Sequence, residues 1–166
     1  KVVNTSHHKP DGDAIGSAMA MYHVLKQLQH EVHVILPNRF PDFLGWISNS
    51  DRAMVFENDE ETCKKILNDG DIIFCLDYNA PKRVGQMEDA LKAANGIKIM
   101  IDHHPDPDEQ TFQYVLSSVE VSSTAELIYV FLYETGNSKW INQAAAESLY
   151  TGIVTDTGSF SYEIGR

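Results

Sequence analysis

Two largely apolar runs near the middle of the chain, residues 72–76 and 97–101, constrain the fold more than any other feature, and only Lys98 interrupts the second. Runs of this length, rich in isoleucine, are typical of parallel strands buried on both faces of a sheet. Between them, Pro81 suits the first turn of a helix, where its missing N–H costs nothing, and Asn95-Gly96 can end that helix. The pattern therefore predicts a strand, a helix and a second strand.

The rest of the chain continues this alternation. Ile15, Ala18, Tyr22 and Leu25 recur at steps of three and four residues, which predicts a helix with one apolar face. Further strands are predicted at residues 1–6, 32–36 and 53–56, and further helices at 60–68, from near 123 and at 142–154. We therefore expect an α/β fold in which a parallel β-sheet carries helices on both faces.

The length of 166 residues fits one ordinary domain, and a hydrophobic content of 43% is normal for a folded protein. No apolar run approaches the roughly 20 residues that a membrane helix needs, so we expect a soluble protein with no membrane partner. The two cysteines, Cys63 and Cys75, are too few for a disulfide framework and fit the reducing cytoplasm. Whether the protein is a monomer or a homodimer is left open.

The formal net charge is −11, which argues against binding of long duplex nucleic acid, because such binding usually relies on Lys and Arg. A solvated acidic surface explains most of this excess. Part of it could instead be metal ligands: two divalent ions, with four positive charges, would reduce the net charge to about −7.

Acidic and histidine side chains directly follow three of the predicted strands, and one more acid follows a predicted helix. They are His7, Asp11 and Asp13 after the first strand, Asp77 after the strand that ends at 76, Asp102, His103 and His104 after the strand that ends at 101, and Asp156 after the helix at 142–154. In open α/β sheets, ligands collect at the carboxyl ends of the strands, where loops converge. We therefore expect these side chains to lie close together.

Each cluster alone has an ordinary structural explanation. The Asp-Gly-Asp triplet at 11–13 is a common turn, Asp77 could cap the next helix, and Asp156 could belong to a helix-ending turn. Only adjacent histidines after a buried strand are uncommon in structural roles. Because four independent coincidences would have to fall on one edge of one sheet, a metal site is the better interpretation.

The donor atoms of this predicted site are carboxylate oxygens and imidazole nitrogens, without a thiolate. Such a set suits manganese or magnesium, and less exclusively cobalt or iron, rather than a structural zinc. Four aspartates and one or two histidines are too many for one tetrahedral ion. They suit two ions about 3.5–4 Å apart, so we expect two divalent metal ions, with manganese preferred.

Four motifs occur in a fixed order along nearly the whole chain. They are His7-x-x-x-Asp11-x-Asp13, the single Asp77, Asp102-His103-His104, and Gly-Ile-Val-Thr-Asp-Thr-Gly at 152–158. In this order they resemble the motifs of the DHH phosphoesterase family. The fuller stretches at 6–17 and 155–160 resemble most closely its bacterial oligoribonuclease and pAp-phosphatase branch. The resemblance implies hydrolysis of phosphate esters by a metal-activated water.

The resemblance also implies how the ligands divide between two ions. One ion would be held by His7 and Asp11, the other by Asp13, His103 and Asp156, and Asp77 would bridge the two. The spacing of the residues does not by itself apportion them.

The resemblance leaves two catalytic residues, Asp77 at the bridge and His104 at the substrate. His104 would face the substrate phosphate or protonate the leaving oxygen, while Asp102 would orient His103 from outside the ligand set. Arg83 is a weak candidate for phosphate binding, because charges at a helix start are usually only solvated.

Ser123 and Glu126 have the spacing of a capping box. Ser123 is therefore expected to cap a helix rather than to bind substrate.

Members of this branch normally carry a second, smaller domain of the DHHA1 type, in which a Gly-Gly-Gly-His-like segment grips the substrate. No such segment occurs up to Arg166. We therefore expect residues 1–166 to be the metal-binding DHH catalytic domain without its C-terminal substrate-binding domain.

The preferred substrates are short oligoribonucleotides, degraded as by an exoribonuclease, and 3′-phosphoadenosine 5′-phosphate. Pyrophosphate, as for family II pyrophosphatases, and cyclic dinucleotides are alternatives that would use the same metal site. An inactive nucleotide-binding regulatory module is the alternative of another class. It is opposed by the intact metal ligands and by the lack of a Gly-x-Gly-x-x-Gly pattern at 12–16.

Overall fold

A parallel sheet forms the centre of the protein in a computed structural model that describes residues 1–161. Its strands are β1 (Val2–Thr5), β2 (Val32–Leu36), β3 (Met54–Val55), β4 (Ile72–Leu76), β5 (Ile97–Asp102) and β6 (Tyr114–Ser117). They lie in the order β3-β2-β1-β4-β5-β6, and every neighbouring pair is parallel. The predicted α/β fold is confirmed. Residues 162–166 of the predicted domain lie outside the described part of the chain.

Helices cover both faces of this sheet. They are α1 (Gly12–Gln27), α2 (Glu60–Asn68), α3 (Glu88–Ala93), α4 (Thr124–Glu134) and α5 (Gln143–Asp156). Successive side chains of a strand point to opposite faces. In β4, Phe74 and Leu76 therefore pack with α1, α4 and α5, whereas Ile73 and Cys75 pack with α2 and α3. Within residues 1–161, no helix is both long and apolar enough to cross a bilayer.

Two elements differ from their predicted form. The helix predicted after Pro81 is interrupted: a 3-10 segment, Pro81–Met87, contains Gly85 at φ 58° and ψ −126°, and the α-helix begins only at Glu88. Glycine tolerates this left-handed φ, so the chain bends there. The last helix is longer than predicted, and Asp156 is its final residue rather than part of a following turn.

The start of α1 packs very closely against the second half of α5. A Cβ atom on Gly16 would lie 2.5 Å from the carbonyl oxygen of Ser148, and a Cβ atom on Gly12 would overlap the side chain of Thr155. Glycine at both positions lets the two backbones approach. The contact brings the beginning of α1, at the carboxyl edge of the sheet, to the end of α5.

Candidate metal centre

The loop after β1 carries the first two site residues. His7 is buried, and its Nδ1 lies 2.9 Å from the carbonyl oxygen of His8. Because a carbonyl can only accept, Nδ1 carries a proton and Nε2 is left as the free donor atom for a metal. Asp11 caps α1, since its Oδ1 accepts the N–H groups of Asp13 and Ala14, both at 3.0 Å.

Asp13 lies in the first turn of α1 and is only 1% exposed. Its carboxylate accepts the N–H groups of Thr124 at 2.7 Å and Ala125 at 2.9 Å, at the N-terminus of α4. Such N–H groups favour a negative charge. A Cβ atom on Gly152 would lie 2.8 Å from Oδ1 of Asp13, so glycine there leaves room for the carboxylate.

Asp77 follows β4 directly and has a left-handed backbone conformation, with φ 65°. A residue other than glycine in this region carries a cost on the order of 1–3 kcal/mol and often lies at a functional site. The side chain is 2% exposed, and its Oδ1 accepts the hydroxyl group of Thr124 at 2.8 Å. The carboxylate is therefore held in one position at the carboxyl edge of the sheet.

Asp102 is the last residue of β5, and its Oδ1 lies 2.7 Å from Nδ1 of His104. Asp102 was predicted to orient His103, whereas in the structure it forms its hydrogen bond with His104. Both histidines lie beyond the end of β5 with their rings 4.6 Å apart, so the local bend, and not strand alternation, decides which of them meets Asp102. Oδ2 of Asp102 is buried and has no hydrogen-bond partner among residues 1–161.

His7, Asp11 and Asp77 form a first group of potential metal ligands. Nε2 of His7 lies 3.3 Å from Oδ2 of Asp77 and 3.9 Å from Oδ1 of Asp11. One donor atom from each of the three residues lies within 4.8 Å of the others. Such a group could hold a metal ion.

A second group consists of Asp13, His103 and Asp156, whose donor atoms also lie within 4.8 Å of one another. Nε2 of His103 is 3.4 Å from Oδ2 of Asp156 and 3.8 Å from Oδ2 of Asp13. The same nitrogen is 3.8 Å from Oδ1 of Asp77. Asp77 therefore presents one oxygen to each group.

His104 lies at the rim of these groups. Its Nδ1 is 3.9 Å from Oδ1 of Asp77, and its side chain is 38% exposed. Asp77, His103 and His104 form a third, overlapping group whose donor atoms lie within 4.8 Å of one another. His104 is thus close enough to ligate a metal ion, but its bond to Asp102 uses the nitrogen that faces the site.

Burial and mutual repulsion raise the pKa values of two carboxylates in the site. Burial raises the pKa of Asp13 well above its usual range, and the charge of Asp77 adds to this shift. Burial also raises the pKa of Asp156, with contributions from Asp77 and Asp11. Burial is the largest single influence on His7 and lowers its pKa, but the hydrogen bond and charge of Asp77, with smaller contributions from His8 and Asp11, together leave the pKa raised. Burial and the neighbouring carboxylates thus both disfavour the charged forms of Asp13 and Asp156, and a bound cation would offset both effects.

The donor atoms that meet here are carboxylate oxygens and imidazole nitrogens. Neither Cys63 nor Cys75 belongs to any potential metal group among residues 1–161, and both are buried as free thiols. Burial raises the pKa of each thiol to about 11, so neither offers a thiolate. The residues present therefore fit a divalent cation with oxygen and nitrogen ligands better than a structural zinc.

The two weaker sequence candidates lie near the site in different ways. The carbonyl oxygen of Arg83 accepts the N–H group of His8 at 2.8 Å, which ties the segment after β4 to the loop after β1. The hydrogen bond to Asp102 raises the pKa of His104, and the nearby charge of Arg83 reduces that shift. Ser123 caps α4, as predicted, by accepting the N–H group of Glu126 at 3.1 Å.

Two residues, Thr124 and Gly152, support the site in ways that were not predicted from the sequence. Thr124 binds Asp77 through its hydroxyl and Asp13 through its N–H group, and Gly152 makes room for Asp13. The capping box located a helix start near Thr124, but no sequence signal indicates which carboxylates that helix start will face.

Comparisons with known proteins identify relatives along the whole chain. The model of the DHH family, N-terminal domain, matches residues 1–153. The bifunctional oligoribonuclease and PAP phosphatase NrnA of Bacillus subtilis (strain 168) is 30% identical over 158 residues, which cover 94% of this chain and 46% of NrnA. The cyclic-di-AMP phosphodiesterase GdpP of the same organism is 29% identical over 171 residues, 99% of this chain and 26% of GdpP.

A solved structure has nearly the same fold. The crystal structure of an exopolyphosphatase-related protein from Bacteroides fragilis superposes with a TM-score of 0.97 and 42% sequence identity, over 100% of this chain and 48% of that one. The chain thus spans about half the length of NrnA and of the Bacteroides protein. Because the family model matches most of the sequence, the chain belongs to the DHH family.

Proposed function

We propose that the protein hydrolyses phosphate esters with two divalent metal ions, manganese in preference to magnesium or cobalt. The position of Asp77 carries this proposal, because its Oδ2 is 3.3 Å from Nε2 of His7 and its Oδ1 is 3.8 Å from Nε2 of His103. A carboxylate with one oxygen toward each group suits a bridge between two ions. The assignment is His7 and Asp11 to one ion, Asp13, His103 and Asp156 to the other, and Asp77 to both.

Ions bound at these groups would supply a water molecule of lowered pKa and neutralise charge on the phosphate. The protein supplies the proton for the leaving oxygen. Asp102 accepts the Nδ1–H group of His104, so the opposite nitrogen, Nε2, is available to donate a proton. The hydrogen bond to Asp102 raises the pKa of His104, which favours the protonated ring that can donate. Arg83 is proposed to bind a non-bridging phosphate oxygen.

The proposed substrates are short oligoribonucleotides and 3′-phosphoadenosine 5′-phosphate. The match to NrnA over 94% of this chain supports them. Cyclic dinucleotides are a second candidate, because GdpP matches over 99% of the chain. The net charge of −11 opposes a long duplex substrate. We assign the activity to the cytoplasm, where buried free thiols remain reduced.

The metal content of the purified protein and its turnover of a panel of substrates test this proposal. The panel contains a triribonucleotide, 3′-phosphoadenosine 5′-phosphate, cyclic di-AMP, pyrophosphate and a chromogenic phosphodiester, each with manganese, magnesium or cobalt. We expect two manganese ions per chain and the highest kcat/KM on the first two substrates. Metal binding without turnover of any substrate would favour the inactive regulatory module. Light scattering on the same preparation tests whether a homodimer forms.

We further propose that residues 1–166 supply the metal-binding half of a larger active site. The chain spans 46% of NrnA, and holding the substrate in line contributes to catalysis separately from activating water. A longer protein with a substrate-binding domain should exceed this chain in kcat/KM on a trinucleotide by at least about 10²-fold, or roughly 2.7 kcal/mol. The difference should be smaller on the chromogenic diester. Equal kcat/KM values on the trinucleotide would show that no second domain is needed.

A further inference from the structure

A groove of about 300 Å³ is lined in part by Lys9 and Pro10, which lie between His7 and Asp11 in the chain. One wall belongs to the loop that carries His7 and Asp11, and the other belongs to the segment after β2. The lining residues are Lys9, Pro10, Asn38, Arg39, Phe40 and Pro41.

The groove is fixed close to the proposed metal ligands. Lys9 stands two residues from both His7 and Asp11, and two residues of chain reach at most about 7 Å. Its backbone N–H group donates to Oδ1 of Asn38 at 2.7 Å, which ties the two walls together. Lys9 also has a left-handed backbone conformation, with φ 57°. The groove and the metal centre are therefore parts of one surface.

The charge of this groove is opposite to that of the protein as a whole. Its lining includes two cations, Lys9 and Arg39, and no acidic residue, in a chain of net charge −11. Both side chains are exposed, and among residues 1–161 neither forms an ion pair. Cations without a carboxylate partner, next to a site for phosphate chemistry, suit a second phosphate group.

A larger groove of about 540 Å³ adjoins the first and shares Arg39 and Phe40 with it. Its lining includes the polar residues Ser50 and Asn58 and also two acidic residues, Asp42 and Asp51, so this larger groove suits the uncharged nucleoside rather than a phosphate. A half-buried aromatic ring next to polar groups offers a surface for a base and hydrogen bonds for a sugar. A nucleoside attached to a phosphate between Lys9 and Arg39 would therefore have space beyond it.

We propose that the groove between Lys9 and Arg39 binds a phosphate group of the substrate that is not cleaved. This inference rests on the proposed phosphoesterase function and narrows its substrates to nucleotides with at least two phosphates. The second phosphate is the next phosphodiester of a short oligonucleotide, or the second phosphate of a nucleoside bisphosphate. Substrates with one phosphate would use the metal centre alone.

Binding assays on Arg39→Gln test the inference separately from catalysis. Three probes are titrated with manganese present. They are a fluorescein-labelled triadenylate with phosphorothioate linkages, 3′-phosphoadenosine 5′-phosphate (the bisphosphate probe) and AMP. Lys26→Gln is the matched control, because it removes one exposed positive charge from the last turn of α1, at the opposite edge of the sheet. Turnover of unmodified triadenylate by the unmutated protein is measured in parallel.

Arg39→Gln should weaken binding of the triadenylate and of the bisphosphate at least about fivefold, and should change AMP binding less than twofold. The slope of log K against log salt for the triadenylate should fall by about 0.7, the value for one lost contact to a single strand. Lys26→Gln should leave all three affinities within twofold. A bisphosphate response without a triadenylate response would assign the groove to bisphosphates.

Unchanged affinity of Arg39→Gln for both multiphosphate probes would overturn the inference, and so would an equal loss of AMP binding. Failure of the unmutated protein to bind any probe would overturn it as well. If the unmutated protein binds triadenylate through Arg39 but does not cleave it, the phosphate groove stands and the proposed catalytic function fails.

Discussion

Nδ1 of His104 lies 2.7 Å from Oδ1 of Asp102, whereas Nε2 of the adjacent His103 lies 3.4 Å from Oδ2 of Asp156. Two neighbouring residues of the same type thus face different partners. His103 points into the second ligand group, and His104 is held by a buried carboxylate at the rim. This difference in partners is the basis for separating metal binding from proton transfer.

His103→Ala should lose metal, because it removes a nitrogen that lies within 4 Å of three carboxylates. His104→Ala should keep both ions and lose turnover by about 10²–10⁴-fold, the usual contribution of general acid catalysis. Calorimetric titration with manganese, combined with kcat on a trinucleotide, measures both effects. Equal metal loss in the two variants would contradict this division of roles.

Asp102→Asn should move the alkaline limb of the kcat profile to lower pH. The hydrogen bond to Asp102 raises the pKa of His104, and a general acid is active only below its pKa. Weakening that bond lowers the pKa, so the proton is lost at a lower pH. Measuring kcat between about pH 6 and 10 at a saturating manganese concentration tests the predicted shift of the alkaline limb. An unchanged alkaline limb would assign it to a group other than His104.

Asp77→Asn should abolish turnover and weaken binding of at least one ion, because the amide can present only one oxygen where Asp77 presents two. Thr124→Val is the matched control. It removes the hydroxyl that bonds Oδ1 of Asp77 at 2.8 Å but keeps both carboxylate oxygens, so it should retain metal and lose about 10-fold to 100-fold in activity. Full manganese-dependent activity of Asp77→Asn would remove Asp77 from the centre of the mechanism.

Gly152→Ala should destabilise the protein by about 1–3 kcal/mol and weaken manganese binding. The added Cβ atom would lie 2.5 Å from Cβ of Ala125 and 2.8 Å from Oδ1 of Asp13. Adding Ala125→Gly relieves the first contact but leaves the second. The double variant should therefore regain stability in urea unfolding without regaining manganese affinity. Recovery of both properties together would show that Gly152 has only a packing role.

Asp156→Asn should raise the melting temperature of the metal-free protein at pH 7 by about 1–3 °C. Burial raises the pKa of Asp156, so the folded protein holds its proton more tightly than the unfolded chain does. Ionisation at higher pH therefore favours unfolding, and the neutral amide avoids that penalty. The same variant should gain less stability than the unmutated protein when manganese is added. Calorimetry at pH 5 and 7 checks the sign, because the gain should shrink at the lower pH.

The fold could be predicted because its signals are local. The apolar runs at 72–76 and 97–101 became β4 and β5, and the helix at 60–68 was predicted at its observed bounds. The interruption at Gly85 was missed, because a proline start and a glycine end fit a continuous helix equally well. The spacing of residues in the sequence does not reveal the backbone angle φ that Gly85 adopts.

The site was harder to predict in detail than the fold. Asp11, Asp77 and His103 follow strands whose carboxyl ends meet at one edge, so their proximity follows from the sheet. The partner of Asp102 depends on the direction of two imidazole rings, and the contact between Asp13 and the start of α4 joins segments more than 100 residues apart. Such contacts depend on tertiary packing, which cannot be predicted from the periodicity of apolar residues in the sequence.

The close contact between α1 and α5 has a consequence for synthesis of the protein on the ribosome. Asp13 belongs to the first helix and Asp156 is the last residue of the final one, yet both meet His103 in the second ligand group. The sheet from β1 to β5 can form while the chain is still being extended, but this ligand group cannot close until α5 has left the exit tunnel and settled onto Gly16. An ion could therefore be held by all three of its members only after α5 has emerged, and a nascent chain truncated before α5 should bind manganese at most through the first group.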